Sequence, residues 1–561
     1  MTAQARPVAV DVSIPLRTRL FGLGSIFGKT LRDSRRAILI VSGFLTLLIL
    51  ISGAFVASAW GTPETRAEGV VLTTALPPIF TGLYGGSAIA ADTLGGFTNW
   101  RYGVLFFVLP GVWSLIALSG TLVGEVRRGS MEFVAGSPTA RRRIALEKLG
   151  GHVVAVTIAM LVVAAFLWLI GTAFATLPGD EIPVGAALGY ALGMGLSALV
   201  AGTIAFALAP FVGRGGAAGI AALLLVGSWI VNGYRESVAV FETISPVSWF
   251  SWFAGHRPIA GTYDWASLVP LAGIVLVAGA LGVLAFERRD LGDVGALRLP
   301  SRPRMLLGLS GPLTRALGEW LTSALGWGAG IGLYAFVIAV SATDLQRVIE
   351  EAPTLAEIMR TAFPNADIGQ PGFALQVLFV QLGTILGGAA AASLVGGWAS
   401  DESEGRLEML LTAPVARFRW MVQAGIGTYL AIVVVSLIVA IVTALAIAAT
   451  GDDIVDPFIG VFVIALYGVA VAGIGLAVGG LVRPSLAAPT VIVVVVGMLL
   501  IDILAPVLEL PEWVTNLSLA GRYGEPMIGN WDPVGIAASL ALAVGGLLIG
   551  AWGFSRRDLR G

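Results

Sequence analysis

The chain has no cysteine, two histidines and only two lysines, Lys29 and Lys148, and its charged residues stop at 12% of 561. Each shortage removes a class of function. Without cysteine there are no disulfides, thiolate metal sites or cysteine nucleophiles, and two histidines are too few for Cys/His zinc chemistry. A soluble domain carries about a quarter of its residues charged, so this chain lacks the charge to coat a water-facing surface. Apolar residues dominate instead, at 57%, with a mean hydropathy of +0.89. The arginine preference and the wealth of Ala, Gly and Val are typical of a high-GC bacterial genome.

A hydrocarbon core about 30 Å thick takes roughly 20 apolar residues to cross as helix. Runs of that size occupy 37–60, 102–124, 152–177, 184–212, 217–233 and 267–286, then 323–343, 373–398, 424–449, 457–482, 486–508 and 534–554. The tight boundary at Gly213-Arg214-Gly215-Gly216 makes the fourth and fifth runs the hardest pair to separate. The expected fold is an all-α polytopic membrane protein with about 12 transmembrane helices.

The six-plus-six division coincides with an internal repeat. Gly129, Glu132, Pro138, Ala140, Arg141 and Arg143 return 276 positions later as Gly405, Glu408, Pro414, Ala416, Arg417 and Arg419. Phe286-Glu-Arg-Arg-Asp-Leu291 returns after 268 positions as Phe554-Ser-Arg-Arg-Asp-Leu559. Self-similarity on this scale implies a duplicated unit, with repeats at 1–292 and 293–561. Placing the N-terminus inside puts 27 of the 34 basic residues on inner segments, the asymmetry of a cytoplasmic face. Both termini are then cytoplasmic and the two six-helix repeats run parallel. A cleavable signal peptide is not expected, because about 36 polar residues precede the first span.

The inner loop after the second run carries the densest pattern. Glu125-Val-Arg-Arg-Gly129 leaves the membrane, Ser130 to Val134 has short-helix character, Ser137-Pro138 breaks it, and Ala140 to Lys148 forms a basic helix leading into the third span. The second copy is Asp401-Glu-Ser-Glu404-Gly405, Arg406 to Leu411, Ala413-Pro414 and Arg417 to Gln423. An acidic residue, Gly, Glu, an apolar pair, Pro and Arg in this order resemble the inner loop of type-2 ABC exporter permeases. The double-length form is similar to the tetronasin-type antibiotic and multidrug export permeases of actinobacteria. The resemblance implies that these are cytoplasmic coupling helices docking on a nucleotide-binding ATPase subunit, through Glu125, Gly129, Glu132, Phe133, Pro138 and Arg141 in one half. In the other half the counterparts are Glu404, Gly405, Glu408, Met409, Pro414 and Arg417. A short amphipathic helix suits that role, since apolar side chains fill a partner's groove while charges fix register. The plain alternative is that these arginines only set topology and touch anionic lipid.

Leu16 to Arg36 and its counterpart at about 305–320 precede the first span of each half and have the pattern of interfacial amphipathic helices; a simple basic anchor fits the first equally well. Gly22 to Thr30 imitates a phosphate loop, but Gly22 is one residue too early and Leu23 stands where glycine is needed. No inner connection can hold an ATPase domain. No cofactor is therefore expected in this chain, ATP and Mg belong to the partner, and two pseudo-equivalent halves imply two ATPase copies.

In the family that the loops resemble, the second and fifth spans of each half face the pathway. That nominates Phe106, Phe107, Trp113, Trp229 and Asn232 in the first half and Gln376, Phe379 and Gln381 in the second, although any one aromatic fits packing or lipid contact as well. Pro246 to Phe253 is too apolar for a solvated loop, so Trp249, Phe250, Trp252 and Phe253 read as a re-entrant outer gate, with a counterpart at about 505–533; an interfacial aromatic belt is the alternative. Asp502 lies near the end of its span, and an interfacial position competes with a functional one.

The sequence thus reads as a permease subunit rather than an enzyme, exporting hydrophobic or amphiphilic drug-like compounds across a bacterial cell membrane. Its expected partners are the ATPase, membrane lipid and a small-molecule substrate, not nucleic acid. A proton-coupled secondary transporter, a lipid exporter of the same ABC class and a membrane scaffold or immunity protein are the rival readings.

Overall fold

Inside a bilayer no water reaches the backbone, so each N–H and C=O must be satisfied within the protein, and a chain this apolar is driven into helices. The computed structural model describes residues 25–74, 78–121, 140–236, 238–288, 311–340, 342, 371–403, 406–410, 412, 415–449, 453–508 and 510–557. Twelve helices among them are long and apolar enough to cross a membrane. Those of the first half are α1 (Ile26–Ala59), α2 (Leu94–Gly120), α3 (Arg141–Ala173), α4 (Val184–Arg214), α5 (Gly216–Gly233) and α6 (Leu268–Glu287). The second half supplies α7 (Pro312–Val340), α8 (Val380–Ala399), α9 (Arg417–Ala448), α10 (Val455–Leu481), α11 (Pro484–Ala505) and α12 (Pro533–Arg556). The only sheet among the described residues pairs two strands of two residues each. The fold is that of an all-α polytopic membrane protein.

Several helices outrun their apolar stretch. α1 has 34 residues, about 51 Å at 1.5 Å per residue, because its basic N-terminal turns are continuous with the span. Residues 26–36, expected in an interfacial helix, are the first turns of α1, and 312–320 likewise open α7; residues 16–24 and 305–310 lie outside the described set. The start of α1 is capped twice. Ser25 Oγ accepts from Gly28 N at 3.0 Å, and the carboxylate of Glu147 on α3 accepts from Ile26 N and Phe27 N at 3.1 and 3.3 Å, satisfying donors that a helix start leaves orphaned.

The fourth and fifth spans separate by different means in the two halves. Between α4 and α5 the break is at Gly213, whose φ of 75° and ψ of 173° only glycine adopts without strain. Between α10 and α11 it is the extended Arg483 followed by Pro484, which opens a 3₁₀ turn and cannot continue a helical ladder.

The chain divides into two compact units, α1 to α6 in one and α7 to α12 in the other, the second also taking Pro77–Leu83 and Tyr234–Val240. Their internal pairings correspond. In the first, α1 packs on α2 and α3, α2 on the α4–α5 pair, and α6 on the same pair and on α3; in the second, α7 packs on α8 and α9, α8 on α10 and α11, and α12 on α10 and α9. Small residues permit the closest seams. A Cβ on Gly480 of α10 would lie 2.2 Å from Gly550 O on α12, and one on Gly546 would lie 2.3 Å from Gly473 O, the close backbone approach that a Gly-x-x-x-Gly spacing allows. In the first unit polar side chains add ties between spans: Ser52 to Thr98 at 2.6 Å, Tyr190 to Asn99 at 2.9 Å and Ser114 to His152 at 2.9 Å.

At the far end of α1, Arg66 and Asp180 form a buried bidentate pair, 2.8 and 3.0 Å long, with side-chain exposures of 4% and 1%. Every remaining valence is used. Arg66 also donates to the carbonyls of Trp60 and Asp92, and Asp180 accepts from the N–H groups of Leu94, Thr176 and Leu177. Burial alone would push the Asp180 carboxyl up, but Arg66 and these N–H donors outweigh it and hold the group at about 2. A carboxylate depressed below its unfolded value stabilises the fold above about pH 4 and loses that contribution as pH falls toward 2. Asp180→Asn is expected to cost about 3–5 kcal/mol at neutral pH by stranding a buried guanidinium. Thermal unfolding in detergent at pH 7 and pH 3 checks this: the gap between wild type and variant should narrow at the lower pH, and a gap independent of pH counts against the pairing.

Candidate functional site

Of the loop residues nominated for ATPase contact, Glu125, Gly129, Glu132, Phe133, Pro138, Glu404, Gly405 and Pro414 lie outside the described residues. The rest can be placed. Arg406–Leu410 forms a short helix that carries Met409, with Glu408 in its first turn and exposed, where a carboxylate suits the positive end of the helix. Leu407 of the same turn is buried at 2% exposure. Arg417 opens α9 and is exposed, its Nη1 donating to the carbonyl of Arg557 at 3.1 Å. Arg141 opens α3 and is half-exposed.

Just upstream of that short helix, Asp401 and Glu402 of the loop pattern are tightly paired. Arg315 on α7 holds Asp401 with two bonds of 3.0 and 3.1 Å, and Arg557 holds Glu402 through both carboxylate oxygens. Arg557 belongs to the closing Arg-Arg-Asp-Leu echo, which was legible as a repeat but named no partner.

The residues nominated for the pathway are interior to their units, except Gln381, which is exposed. Phe106 and Phe107 meet the ring of Tyr190 edge-on at 6.3 and 5.5 Å. Trp113 lies edge-on to His152 at 5.4 Å. Trp229 is buried, and Asn232 donates to the carbonyl of Gly85 at 3.1 Å. In the second unit Phe379 packs on Tyr334, while Gln376 accepts from Met527 N and donates to Gly524 O.

Phe107 also meets the segment nominated as the gate. Its ring lies 6.3 Å from Phe250 and 4.9 Å from Phe253, and the Arg257 guanidinium sits 5.4 Å from the rings of both Phe107 and Phe253, within cation–π range. Trp249 donates from Nε1 to Ser197 Oγ at 3.3 Å, and half-exposed Trp252 donates to Pro246 O at 2.7 Å. The segment is broken into a 3₁₀ turn at Ser245–Val247 and one helical turn at Trp249–Trp252.

Both units then close this segment with the same small hairpin. In the first, Arg257 bridges Thr262 around the 3₁₀ turn Pro258–Ala260 and Gly261, at φ 79°. In the second, Gly524 pairs with Trp531 and Glu525 with Asn530 around Pro526–Ile528 and Gly529, at φ 82°. A Cβ on Gly95 would lie 1.8 Å from Ile259 O, and one on Gly372 would lie 2.3 Å from Met527 O. Each hairpin therefore rests on a bare glycine backbone near the start of the second span.

The histidines, used in the sequence only to exclude zinc, are both buried and bonded. His256 takes Asp264 N–H on Nδ1 at 3.2 Å, which leaves Nε2 to donate to Gly189 O at 3.3 Å. Burial, followed by smaller and mixed contributions from Gly189, Arg257 and Asp264, lowers its pKa and keeps it neutral. Asp502 sits half-buried in the last turns of α11. Among the described residues no group of three His, Cys, Asp or Glu side chains could hold a metal ion.

Residues 309–555 match the family model described as "Multidrug efflux system permease Rv1217c, C-terminal domain". The match takes in α7 to α12 but for the last residue of α12. It supports a transport permease of the efflux type rather than an enzyme. No curated protein sequence matches the chain.

The aromatic packing sets an order of stability effects. Phe253, with 0% exposure at the centre of the cluster, is expected to cost about 3–5 kcal/mol on change to Ala. Trp252→Ala, losing one bond from a half-exposed ring, should cost about 1 kcal/mol. Thermal unfolding of the purified variants measures both, and equal losses would contradict the packing described.

Proposed function

We propose that the chain is the transmembrane subunit of an ATP-driven ABC exporter, moving hydrophobic or amphiphilic drug-like compounds out of a bacterial cell. The observation that carries the reading is the efflux-permease match over the second half. The described part of the second inner loop supports the ATP-driven form: a five-residue helix with an exposed Glu408 has the size and polarity of a docking element. ATP and Mg act in separate ATPase subunits, one for each half. Those subunits engage Glu125, Gly129, Glu132, Phe133, Pro138 and Arg141 on one loop and Glu404, Gly405, Glu408, Met409, Pro414 and Arg417 on the other. Both termini face the cytoplasm.

The permease's own part is alternating access. Phe106, Phe107, Trp113, Trp229, Asn232, Gln376, Phe379 and Gln381 offer aromatic faces with a few hydrogen-bonding groups, chemistry suited to a bulky amphiphile. Apart from the exposed Gln381, these side chains are packed and reach cargo only when the helices that hold them part. Trp249, Phe250, Trp252 and Phe253 close the outer side. Truncating Trp249 and Trp252 together should leave ATP hydrolysis unchanged or raised while efflux falls, and a proportional fall in both would argue for an anchoring role alone.

One observation favours the proton-coupled alternative. His152 is buried in α3 and bonded to Ser114 on α2, and a titratable group at that depth is a functional candidate by default. Inverted vesicles decide between the two. Transport should require ATP and survive collapse of the proton gradient by an uncoupler; loss under uncoupler with ATP present would favour the secondary transporter. Reversing Glu132 and Glu408 together should abolish pull-down of the ATPase at unchanged permease yield, and retention of the ATPase would sink the docking assignment.

A further inference from the structure

Asp401 and Glu402 lie in the last turn of the helix that continues α8 to Ser403, just before the short helix Arg406–Leu410, and both are held by arginines from other elements. Asp401, 3% exposed, receives Nη1 and Nη2 of Arg315 at the base of α7. Arg315 is itself braced by Glu319 at 3.2 Å, one turn along the same helix. Glu402 receives both terminal nitrogens of Arg557 at the end of α12, the two side chains being 14% and 13% exposed. The carbonyl of Arg557 in turn accepts from Arg417, the first residue of α9. The chain on either side of the short helix is thus tied to one point at the end of α12, and upstream to α7 as well.

The first half lacks one of these two carboxylates. The shift of 276 that aligns the loops places Glu125 opposite Asp401 but Val126 opposite Glu402, and valine cannot pair with an arginine. The base of α1 is held from α3, through Glu147 and the N–H groups of Ile26 and Phe27, and the residue aligned with Glu147 in the second half is the uncharged Gln423. Bidentate guanidinium–carboxylate pairs fix orientation as well as distance, and nearly buried ones resist separation because parting them strands a charge. A pull on the chain at Asp401 and Glu402 is therefore passed to α7 and α12 with little slack.

We propose that the two docking loops are mechanically unequal, and that Asp401, Glu402, Arg315 and Arg557 are positioning residues through which the second loop sets the stroke of the transporter. This rests on the reading of Arg406–Leu410 as an ATPase contact. The four residues touch neither ATP nor cargo; they make the short helix and the ends of α7 and α12 move as one body.

The test uses the full chain purified with its ATPase, Mg-ATP hydrolysis as one readout and ethidium efflux as the other. Glu402→Arg and Arg557→Glu are each expected to leave hydrolysis within about twofold and to lower efflux per ATP on the order of fivefold to tenfold, the range seen when a coupling network is cut. The double exchange restores the opposite charges and should bring the ratio back to within about twofold. Single reversals that leave the ratio unchanged, or an exchanged protein that hydrolyses ATP without recovering efflux, overturn the proposal. Should the reversals fail to accumulate, Glu402→Gln keeps an acceptor for Arg557 and should still lower the ratio by about twofold or more; no change there also overturns it. A wild-type chain that purifies with no Mg-ATP hydrolysis defeats the docking reading itself, and that outcome is distinct from intact hydrolysis with harmless reversals.

Discussion

Exclusion of water from the bilayer core governs this structure, because it makes any interruption of a helix an obligation for some other part of the protein. At the described breaks the obligation is met by backbone geometry or by a specific partner. The break at Gly213 is a single residue whose backbone tolerates the turn, and that at Pro484 falls where a donor is missing in any case. The start of α1 borrows a carboxylate from α3. The turn from α3 to α4 is filled by Asp180, which answers three N–H groups and a guanidinium at once. Charge amounts to 12% of the chain, and several of its charged side chains are placed where backbone or another charge needs them.

That constraint also decides what was legible beforehand. Apolar runs long enough to span a membrane report themselves by composition, so twelve spans could be located, and the glycine cluster at 213–216 marked one of the two closely spaced pairs. Helix ends were less legible. Periodic charge at 16–36 is the same whether the segment lies along a surface or continues into the span, and α1 continues. Ion pairs between distant segments were not legible at all, since nothing in Arg315 or Arg557 names Asp401 or Glu402. The histidines show the limit from another side. Their number argued against Cys/His zinc chemistry, but their burial and their partners, Ser114 and Asp264, depend on packing that one sequence does not display.

The two halves share a plan of helix pairing and differ in how polar side chains are spent within it. Lys29 and Asp33 on α1 recur as Arg315 and Glu319 on α7, each pair one turn apart at 3.8 and 3.2 Å. The Ser114–His152 bond does not recur: a shift of 276 gives Ala390 and Thr428, and Thr428 turns its hydroxyl back to Ala424 O in its own helix. Asn99 accepts from Tyr190, whereas Gln376, one methylene longer and 277 positions on, reaches the backbone of the hairpin at 524–531. A backbone plan tolerates such changes because each polar group needs only some partner within reach. Divergence of function between the halves would begin at these sites.

The paired hairpins carry the argument furthest. A turn of Pro, two apolar residues and a left-handed glycine appears at 258–261 and again at 526–529, and each turn lies against a glycine with no room for a Cβ. Neither the turn nor its seat is useful without the other: glycine at 95 or 372 weakens a helix start unless something must approach its backbone, and a hairpin carbonyl at that depth requires a close-fitting neighbour. The same pair of concessions in both units ties the segment that follows the fifth span to the start of the second. The aromatic cluster of Phe107, Phe250 and Phe253 and the Gln376 bonds are then two chemistries for fastening one joint. The segment's connection to α2 in one unit and to the helix preceding α8 in the other therefore belongs to the backbone, while the side chains around it set how firmly it holds.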